Sequence, residues 1–337
     1  MGSVIPLKKS ANSAYLDLKN LLSTKLSKVE SLIELKLKSD VSLIKKMSNH
    51  HLRSGGKRLR ALLTLGAAKL SGYELGERDI NLASCVELIH SATLLHDDVL
   101  DESILRRGIK TTNSIWGNQS SILVGDYLLS RCFEIMVDDG DLEILKLLSS
   151  TSAMIAQGEV LQLEHKKEAD LLEDTYIKII SLKTAALFSA ATKTGACIAG
   201  ISEKEKNALA SYGKNLGLAF QIADDALDYY AKEKLFGKEI GKDFFEGKAT
   251  LPLIIVFQKG NDEERNFLSE ILKKEKRNED DFSETLALIN KYKAVEASLK
   301  RAEYFVNVSY DALGIFPDSE DKKILQNLTG FSLNRAF

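Results

Sequence analysis

The chain has 337 residues, 44% hydrophobic and 28% charged, a globular composition with enough apolar residues for a sizeable core. Its 46 basic and 48 acidic residues leave a formal net charge of −2, which gives no reason to expect a nucleic-acid partner. The sequence shows neither a signal peptide nor an apolar run of about 18 or more residues, which disfavours export and a membrane span. Cys85, Cys132 and Cys197 lie far apart in apolar runs, so we expect free thiols and a cytoplasmic protein.

The distribution of proline predicts the fold class. Pro6, Pro252 and Pro317 are the three prolines, and residues 7–251 contain none. Because proline is excluded from helix interiors, this stretch, rich in Leu, Ala, Lys, Glu and Ile, favours successive helices. No linker rich in Gly, Pro or Ser divides the chain. We predict an all-α bundle of about ten or more helices in a single domain, 1–337, with the polar segment 273–281 as a loop or an exposed helix end.

The first motif along the chain is Gly-Gly-Lys-Arg-Leu-Arg at 55–60. Two glycines allow the backbone to approach an anion closely, and a helix starting here would present its N–H groups and the positive end of its dipole. Lys57 and Arg60 are three residues apart, so we expect them on one side of that helix. The spacing differs from that of a P-loop.

Two apolar, helix-length segments each contain Asp-Asp-x-x-Asp, and their carboxylates are Asp97, Asp98, Asp101, Asp224, Asp225 and Asp228. Residues i, i+1 and i+4 project from one side of a helix, so each set is predicted to converge on one point. Converging carboxylates repel one another unless cations bridge them, and Mg²⁺ commonly joins protein carboxylates to substrate phosphates. One such cluster alone is readily explained as a solvated helix face. Two of them, both flanked by apolar residues, indicate a cleft that holds a diphosphate through several Mg²⁺ ions.

Other polar residues share these helix faces. His90 and Thr93 lie on the face that carries Asp97 and Asp101, and Gln221 lies on the face of the second cluster. A single histidine is most often an ordinary core residue, but this alignment favours a site residue. The five histidines and three cysteines show no zinc-ligand spacing.

Basic residues follow the acidic segments, at Arg106-Arg107-Gly108, Lys183-Thr184, Gly237-Lys238 and Gly247-Lys248-Ala249-Thr250-Leu251-Pro252. Each is a weak signal, because one lysine is usually a solvated charge and Arg-Arg-Gly can simply end a helix. Paired guanidinium groups can also clamp two phosphates. Together the cations are about as numerous as two diphosphate substrates require.

These motifs, in this order, resemble those of the trans-prenyltransferases, or polyprenyl diphosphate synthases. The resemblance runs from about residue 50 to the C-terminus, and a small departure is Ala61, where the family often has proline. It implies the isoprenoid synthase fold, with helices around a central cavity and variable N-terminal helices over residues 1–50. It also implies the activity of the family, which is the condensation of an allylic diphosphate with successive isopentenyl diphosphates.

The resemblance assigns roles to individual residues. Mg²⁺, three ions per site, is expected on Asp97, Asp101, Asp224 and Asp228, with Asp98 and Asp225 as ligands or neighbours of ligands. The catalytic set is expected to be Asp97, Asp98, Asp101, Arg106, Lys183, Asp224 and Asp225. The allylic diphosphate is expected to contact Arg106, Lys183, Thr184, Gln221, Lys238 and Lys248. The diphosphate of isopentenyl diphosphate is expected to contact Lys57, Arg60, His90 and Arg107.

Product length is predicted from Ala92 and Thr93, which precede Asp97 by five and four residues. They lie roughly 6–7.5 Å back along the helix, and both are small, which in the family resembles long-chain enzymes. We predict a product of about C40–C50, as used for quinone side chains. Candidates for a deeper floor are Phe133, Met136 and Met154, and candidates for the cavity wall are Phe188 and Phe220.

The family also implies a homodimer, and a long prenyl product implies transient contact with a membrane surface.

Three alternatives remain open from the sequence. A terpene cyclase also ionises allylic diphosphates, but it does not need the second basic group. A non-catalytic synthase subunit would be expected to lack some aspartates or arginines, and here every motif is intact. A short-chain synthase making C15–C20 products differs only in product length.

Overall fold

The structure, a computed structural model, describes residues 11–230, 240–331 and 333. The α-helices of these residues, in chain order, are α1 (Ala11–Leu21), α2 (Ser23–Lys36), α3 (Ser42–Arg53), α4 (Leu59–Leu70), α5 (Arg78–Leu100), α6 (Thr112–Trp116), α7 (Asn118–Asp139), α8 (Leu142–Glu164), α9 (Glu173–Ile180), α10 (Ala186–Ile198), α11 (Glu203–Leu227), α12 (Lys242–Glu246), α13 (Leu251–Lys259), α14 (Asp262–Lys273), α15 (Glu279–Lys291), α16 (Ala294–Ala312) and α17 (Glu320–Leu328). A π-helical turn (Ser181–Ala185) joins α9 to α10, and 3₁₀ turns cover Leu313–Ile315 and Thr329–Phe331. Two short antiparallel strands, β1 (Leu105–Arg106) and β2 (Ile109–Lys110), form a hairpin. The all-α prediction is confirmed.

Local sequence explains where many helices begin. Ser202 caps α11 in a capping box with Glu205, and Asn261 and Asn278 form the same motif at α14 and α15. Pro252 lies in the first turn of α13, where its missing N–H costs nothing. The polar segment predicted as a loop separates the end of α14 from the start of α15, as expected.

The core consists of two apolar clusters that share one helix. The first is formed mainly by α1–α5, α7, α8 and α10, and the second by α9, α13, α14 and α16. The long helix α11 gives Leu209 and Leu216 to the first cluster and Ile222 and Ala226 to the second. Because α11 packs into both, the two clusters are continuous, which supports the proposal of a single domain.

The remaining sequence expectations concern the chain's ends and its cysteines. Helices α1 and α2 and most of α3 occupy the N-terminal segment predicted to be helical. Cys85, Cys132 and Cys197 are free and buried, as predicted. No helix in the described part of the chain is long and apolar enough to span a bilayer.

Candidate active site

The first aspartate motif ends α5, and its carboxylates separate into two groups. Asp97 and Asp101 are partly exposed, whereas Asp98 is buried, with 2% of its surface accessible. A guanidinium nitrogen of Arg106 lies 2.8 Å from Asp98 Oδ1. The expectation that all three carboxylates converge on one point is therefore wrong for Asp98. Adjacent helical residues are rotated by about 100°, and this rotation turns Asp98 away from its neighbours toward the hairpin.

The second motif, near the end of α11, shows the same division. The buried Asp225 accepts hydrogen bonds from Tyr176 Oη and Gln221 Nε2, each at 2.7 Å. The Gln221 side-chain oxygen accepts a hydrogen bond from Thr184 Oγ1 at 2.8 Å. Burial raises the pKa of Asp225 to about 6, with contributions from Asp224 and Asp228, although the two hydrogen bonds oppose the rise. Asp225 is therefore held by the protein, and it still lies close enough to Asp224 and Asp228 to feel their charge.

The segment that contains α12 links the two motifs. Asp228 Oδ2 accepts a hydrogen bond from the backbone N–H of Asp243 at 2.8 Å. Five residues later, Lys248 Nζ lies 2.9 Å from Asp101 Oδ1 and 2.7 Å from Glu246 Oε2. Burial works against ionised Asp101, but Lys248, together with Lys183 and Lys242, outweighs it and holds the pKa of Asp101 below its usual value. The predicted residues Gly237 and Lys238 lie outside the described part of the chain.

Lys183 lies in the π-helical turn and faces α8. Its ammonium group is 2.7 Å from Glu159 Oε2 and donates to Gln162 Oε1 at 2.8 Å. Burial raises the pKa of Asp97 to about 7; Lys183 opposes this rise, and Glu159 and Asp101 add to it. Asp97 is therefore buried close to both a cation and two other carboxylates. π-Helical turns are rare and often occur at functional sites.

A second group of basic residues surrounds the Gly-Gly motif. Arg107 occupies the hairpin turn with a φ of 54°, and its guanidinium donates to the carbonyl oxygen of Gly55. The structure thus joins two motifs that are 52 residues apart. Arg107 passes so close to Gly56 that a Cβ there would meet its Nη1 at 2.9 Å.

Lys57 and Arg60 do not share a helix side, contrary to the expectation. Helix α4 begins at Leu59, so Lys57 precedes it, with its ammonium 4.4 Å from the ring centre of Phe331. Arg60 is instead stacked over Phe188 at 4.6 Å. The start of α4 is also less available to an anion than expected, because the buried Glu87 accepts a hydrogen bond from the Ala61 N–H at 3.0 Å.

Burial affects the protonation of two members of the basic group. Burial lowers the pKa of Arg60 to about 10, although Glu87 opposes the shift, and Arg60 Nε is buried without a hydrogen-bond partner. Burial also lowers the pKa of His90 well below its usual value, with contributions from Arg60, Arg106 and His51. These side chains favour an anion, which would supply the acceptor that Arg60 lacks.

The site thus has two regions of opposite charge. The carboxylate region contains both aspartate motifs, Lys183 and Lys248, and the arginine region contains the Gly-Gly loop, Arg60, His90 and Arg107. The buried pair of Asp98 and Arg106 connects them. Among the described residues, no three carboxylate, histidine or cysteine side chains are arranged to hold a metal ion by themselves.

The comparison with protein families identifies the chain. A model of the family described as "Polyprenyl synthetase" matches residues 41–289. The chain belongs to this family. An octaprenyl diphosphate synthase from Haemophilus influenzae is 37% identical over 98% of this chain and 100% of its own length.

Solved structures of the polyprenyl synthetase family agree with the fold. A decaprenyl diphosphate synthase from Rhodobacter capsulatus superposes with a TM-score of 0.91 and 41% identity, covering 96% of this chain and 99% of that one. A polyprenyl synthase from Caulobacter crescentus, whose structure was solved as a complex with calcium and isoprenyl diphosphate, has the same TM-score and identity and covers 96% and 98%. The resemblance inferred from the motifs is confirmed.

The residues proposed to control chain length occupy different environments. Thr93 is partly exposed on the face of Asp97, and its hydroxyl donates to the carbonyl oxygen of His90 at 2.8 Å. Ala92 is fully buried in the core. Among the candidates for a deeper floor, Met136 is buried, whereas Phe133 and Met154 are 51% and 36% exposed. Within one chain, Met136 is thus the candidate whose side chain is buried, as a residue that closes the end of the tunnel must be.

Of the residues proposed for the cavity wall, Phe188 is buried, and its ring centre lies 5.7 Å from that of Phe220.

Several site residues were missed at the sequence level, namely His51, Glu87, Glu159, Gln162 and Tyr176. His51 is buried, and burial together with Arg106, Arg58 and Arg107 lowers its pKa to about 3. Glu159 and Gln162, three residues apart on α8, had a weak signal as two polar residues on one helix face. The other three carry no signal, because their roles arise from contacts with distant segments.

Proposed function

We propose that this chain is a trans-prenyltransferase that condenses an allylic prenyl diphosphate with successive isopentenyl diphosphates to make a long-chain polyprenyl diphosphate. The observation that carries the proposal is the division of one site into a carboxylate region and a separate arginine region, joined by the ion pair of Asp98 and Arg106. A reaction between two diphosphates needs two such places, one of which must promote departure of the leaving group. Membership of the polyprenyl synthetase family supports this assignment.

The arginine region suits the diphosphate of isopentenyl diphosphate. Lys57, Arg60, His90 and Arg107 are the residues proposed to hold it, and the buried Arg60 Nε, which has no hydrogen-bond partner, supports this by offering a donor. Lys57 and Arg60 rest on aromatic rings, which fix their positions without neutralising them. Binding in this region holds the double bond of the second substrate in a fixed register with the allylic carbon.

The carboxylate region suits the allylic diphosphate together with Mg²⁺. Burial raises the pKa of both Asp97 and Asp225, and neighbouring carboxylates add to each rise, so a cation placed between the two motifs would favour their ionised forms. Asp97, Asp101, Asp224 and Asp228 are the residues that would hold the metal. Mg²⁺ usually binds one or two carboxylates, several waters and phosphate oxygens, so a set of three preformed protein ligands is not required. When bound, Mg²⁺ stabilises the negative charge that develops on the departing diphosphate.

The chain's own residues supply the rest of the chemistry. Lys183 and Lys248 are already held at the edges of the carboxylate region and add positive charge where the leaving group accumulates negative charge. The buried Phe188 and the partly buried Phe220, whose rings are in contact, exclude water, which protects the allylic cation from hydrolysis. The double bond then attacks the cation, and a proton is lost to an oxygen base, for which the released diphosphate is suited.

The product is proposed to be about C40–C50, of the type used for quinone side chains. Thr93 is small and lies on the cleft face one turn before Asp97, where a bulky side chain would shorten the space available to the growing chain. Relatives named octaprenyl and decaprenyl diphosphate synthase, similar over nearly the whole chain, support this length.

A homodimer is proposed as the assembly. Helices α7 and α8 expose large apolar side chains, including Leu123 at 60%, Phe133 at 51% and Val160 at 57%. Covering such a surface with a second copy removes apolar area from water. Transient contact with a membrane surface is proposed for release of the long apolar product.

The proposal is tested by incubating the purified chain with Mg²⁺, labelled isopentenyl diphosphate and a C15 primer, and separating products by chromatography. We expect polyprenyl diphosphates of about C40–C50, loss of activity with EDTA, and at least a hundredfold lower turnover in Asp97→Ala. Products that stop at C20 would identify a short-chain synthase. Diphosphate release from the primer without isopentenyl diphosphate would identify a cyclase. If the chain shows no turnover with any primer, the remaining alternative is a non-catalytic synthase subunit.

A further inference from the structure

The second aspartate motif is attached to the π-helical turn by a continuous chain of hydrogen bonds. Thr184 Oγ1 donates to Gln221 Oε1 at 2.8 Å, and Gln221 Nε2 donates to Asp225 Oδ1 at 2.7 Å. The chain ends at Tyr176, whose hydroxyl donates to the other oxygen of Asp225 at 2.7 Å. Three segments are joined in this way, because Tyr176 belongs to α9, Thr184 to the π-helical turn, and the other two residues to α11.

The orientation of every group in this chain follows from Asp225. A carboxylate only accepts hydrogen bonds, so Gln221 must turn its NH₂ group toward Asp225 and its carbonyl oxygen toward Thr184. The Thr184 hydroxyl must then act as the donor. Tyr176 occupies the remaining oxygen of Asp225, so that the carboxylate has one orientation. Both Tyr176 and Asp225 are buried, with 3% and 5% of their surface accessible.

We infer that Tyr176 is a positioning residue for the allylic-diphosphate side of the site, and this inference rests on the proposed function. By fixing Asp225, its hydroxyl sets the direction of Gln221 and Thr184 and the rotation of the α11 segment that carries Asp224 and Asp228. Tyr176 touches no substrate group itself. Residues that orient metal ligands or their neighbours commonly change metal affinity or activity by about 10–100-fold when they are substituted.

The test is Tyr176→Phe, which removes one hydroxyl and keeps the ring. We expect the KM for the allylic diphosphate and the Mg²⁺ concentration for half-maximal rate each to rise by about tenfold. The KM for isopentenyl diphosphate, which depends on the arginine region, should stay within about twofold. A readout independent of turnover is Mn²⁺ binding, measured by electron paramagnetic resonance with the C15 primer present, which should weaken to a similar extent.

The matched control is Tyr212→Phe. Tyr212 is also a buried tyrosine; it belongs to the first apolar cluster and lies on α11 twelve residues before Asp224. Its hydroxyl donates to the carbonyl oxygen of Leu325 at 2.8 Å and not to a residue of an aspartate motif. This control should lower the Tm without changing either KM. A further check is the double variant Tyr176→Phe with Asp225→Asn, whose effect on the allylic KM should be smaller than the product of the two single effects.

The outcomes separate this inference from the proposed function. If the wild-type chain makes polyprenyl products but Tyr176→Phe changes only the Tm, as Tyr212→Phe does, then Tyr176 is merely structural and the inference is overturned. An equal rise in both KM values, for the allylic and the isopentenyl substrate, would overturn it as well. If the wild-type chain shows no transfer with any primer, the proposed function itself fails.

Discussion

The packing of Gly158 against the π-helical turn gives a sharp prediction about the position of Lys183. Gly158 lies on α8, and a Cβ atom there would meet the backbone nitrogen of Lys183 at 2.7 Å and Leu182 Cβ at 2.9 Å. Ordinary contacts begin at 3.4 Å, so Gly158→Ala requires the turn and α8 to separate by about 0.7 Å. Backbone lies on both sides, so no side-chain rotation can relieve the contact.

A shift of that size moves Lys183 and Thr184 together, because they belong to the same turn. A displacement of about 1 Å in a positioning element can lower turnover about a hundredfold, so we expect a 10–100-fold loss in kcat/KM for the allylic diphosphate. Overpacking destabilises by about 1–3 kcal/mol, partly offset by a gain of about 1 kcal/mol from replacing a helical glycine. The net loss of stability is then about 0–2 kcal/mol, which leaves the chain folded under assay conditions, so a fall in kcat/KM would report the displaced turn.

The assay is steady-state kinetics with both substrates varied, combined with urea unfolding. Gly66→Ala is the matched control, since its Cβ would meet only side-chain methyl groups of Leu325 and Leu18, at 3.2 and 3.4 Å. That variant gains the same helix propensity and should keep its kinetics. If Gly158→Ala keeps a wild-type kcat/KM, close packing of α8 does not position Lys183 and the argument is refuted.

Three further predictions concern stability and product length. Arg106→Gln leaves Asp98 as an unpaired buried carboxylate, so urea unfolding should show a loss of about 3 kcal/mol. Thr93→Phe places a bulky ring on the cleft face one turn before Asp97, so chromatography should show shorter products. His51 is neutral in the folded state down to about pH 3, but in the unfolded chain it protonates near pH 6.5. The unfolded state therefore binds more protons between these two values, so His51 makes the free energy of unfolding rise with pH across this window. His51→Gln should reduce that dependence by about 1.4 kcal/mol per pH unit, measured by urea unfolding between pH 5 and 6.

Each of these predictions has a comparison that would contradict it. Arg131→Gln breaks an exposed ion pair with Glu134 and should lower the free energy of unfolding by less than about 1 kcal/mol. If Arg106→Gln lowers it by no more than Arg131→Gln does, the pair of Asp98 and Arg106 is not buried in the sense required. Ala92→Phe enlarges a fully buried residue and should mainly lower stability. Unchanged product length in Thr93→Phe would remove Thr93 from the wall of the growing chain. A wild-type pH slope in His51→Gln would show that His51 is not the neutral buried group inferred here.

The sequence by itself determined the helical fold and supplied most of the residues proposed for the site. Both depend on local spacing, because the absence of proline over 7–251 and the recurrence of apolar residues specify helices regardless of how those helices pack against one another. The same regularity places His90, Thr93, Asp97 and Asp101 on one face of α5. The ordered motifs were enough to indicate the family, which the family model then confirmed.

The tertiary structure alone decided which partners the carboxylates of the two motifs have. Asp98 and Asp225 have the same spacing in their motifs, yet Arg106 occupies one, and Tyr176 with Gln221 occupies the other. Lys248 meets Asp101 across 147 residues, and Tyr176 meets Asp225 across 49. Spacing along one helix predicts the direction in which a side chain points. Its partner depends on how separate helices pack against one another, and no local sequence pattern predicts that packing.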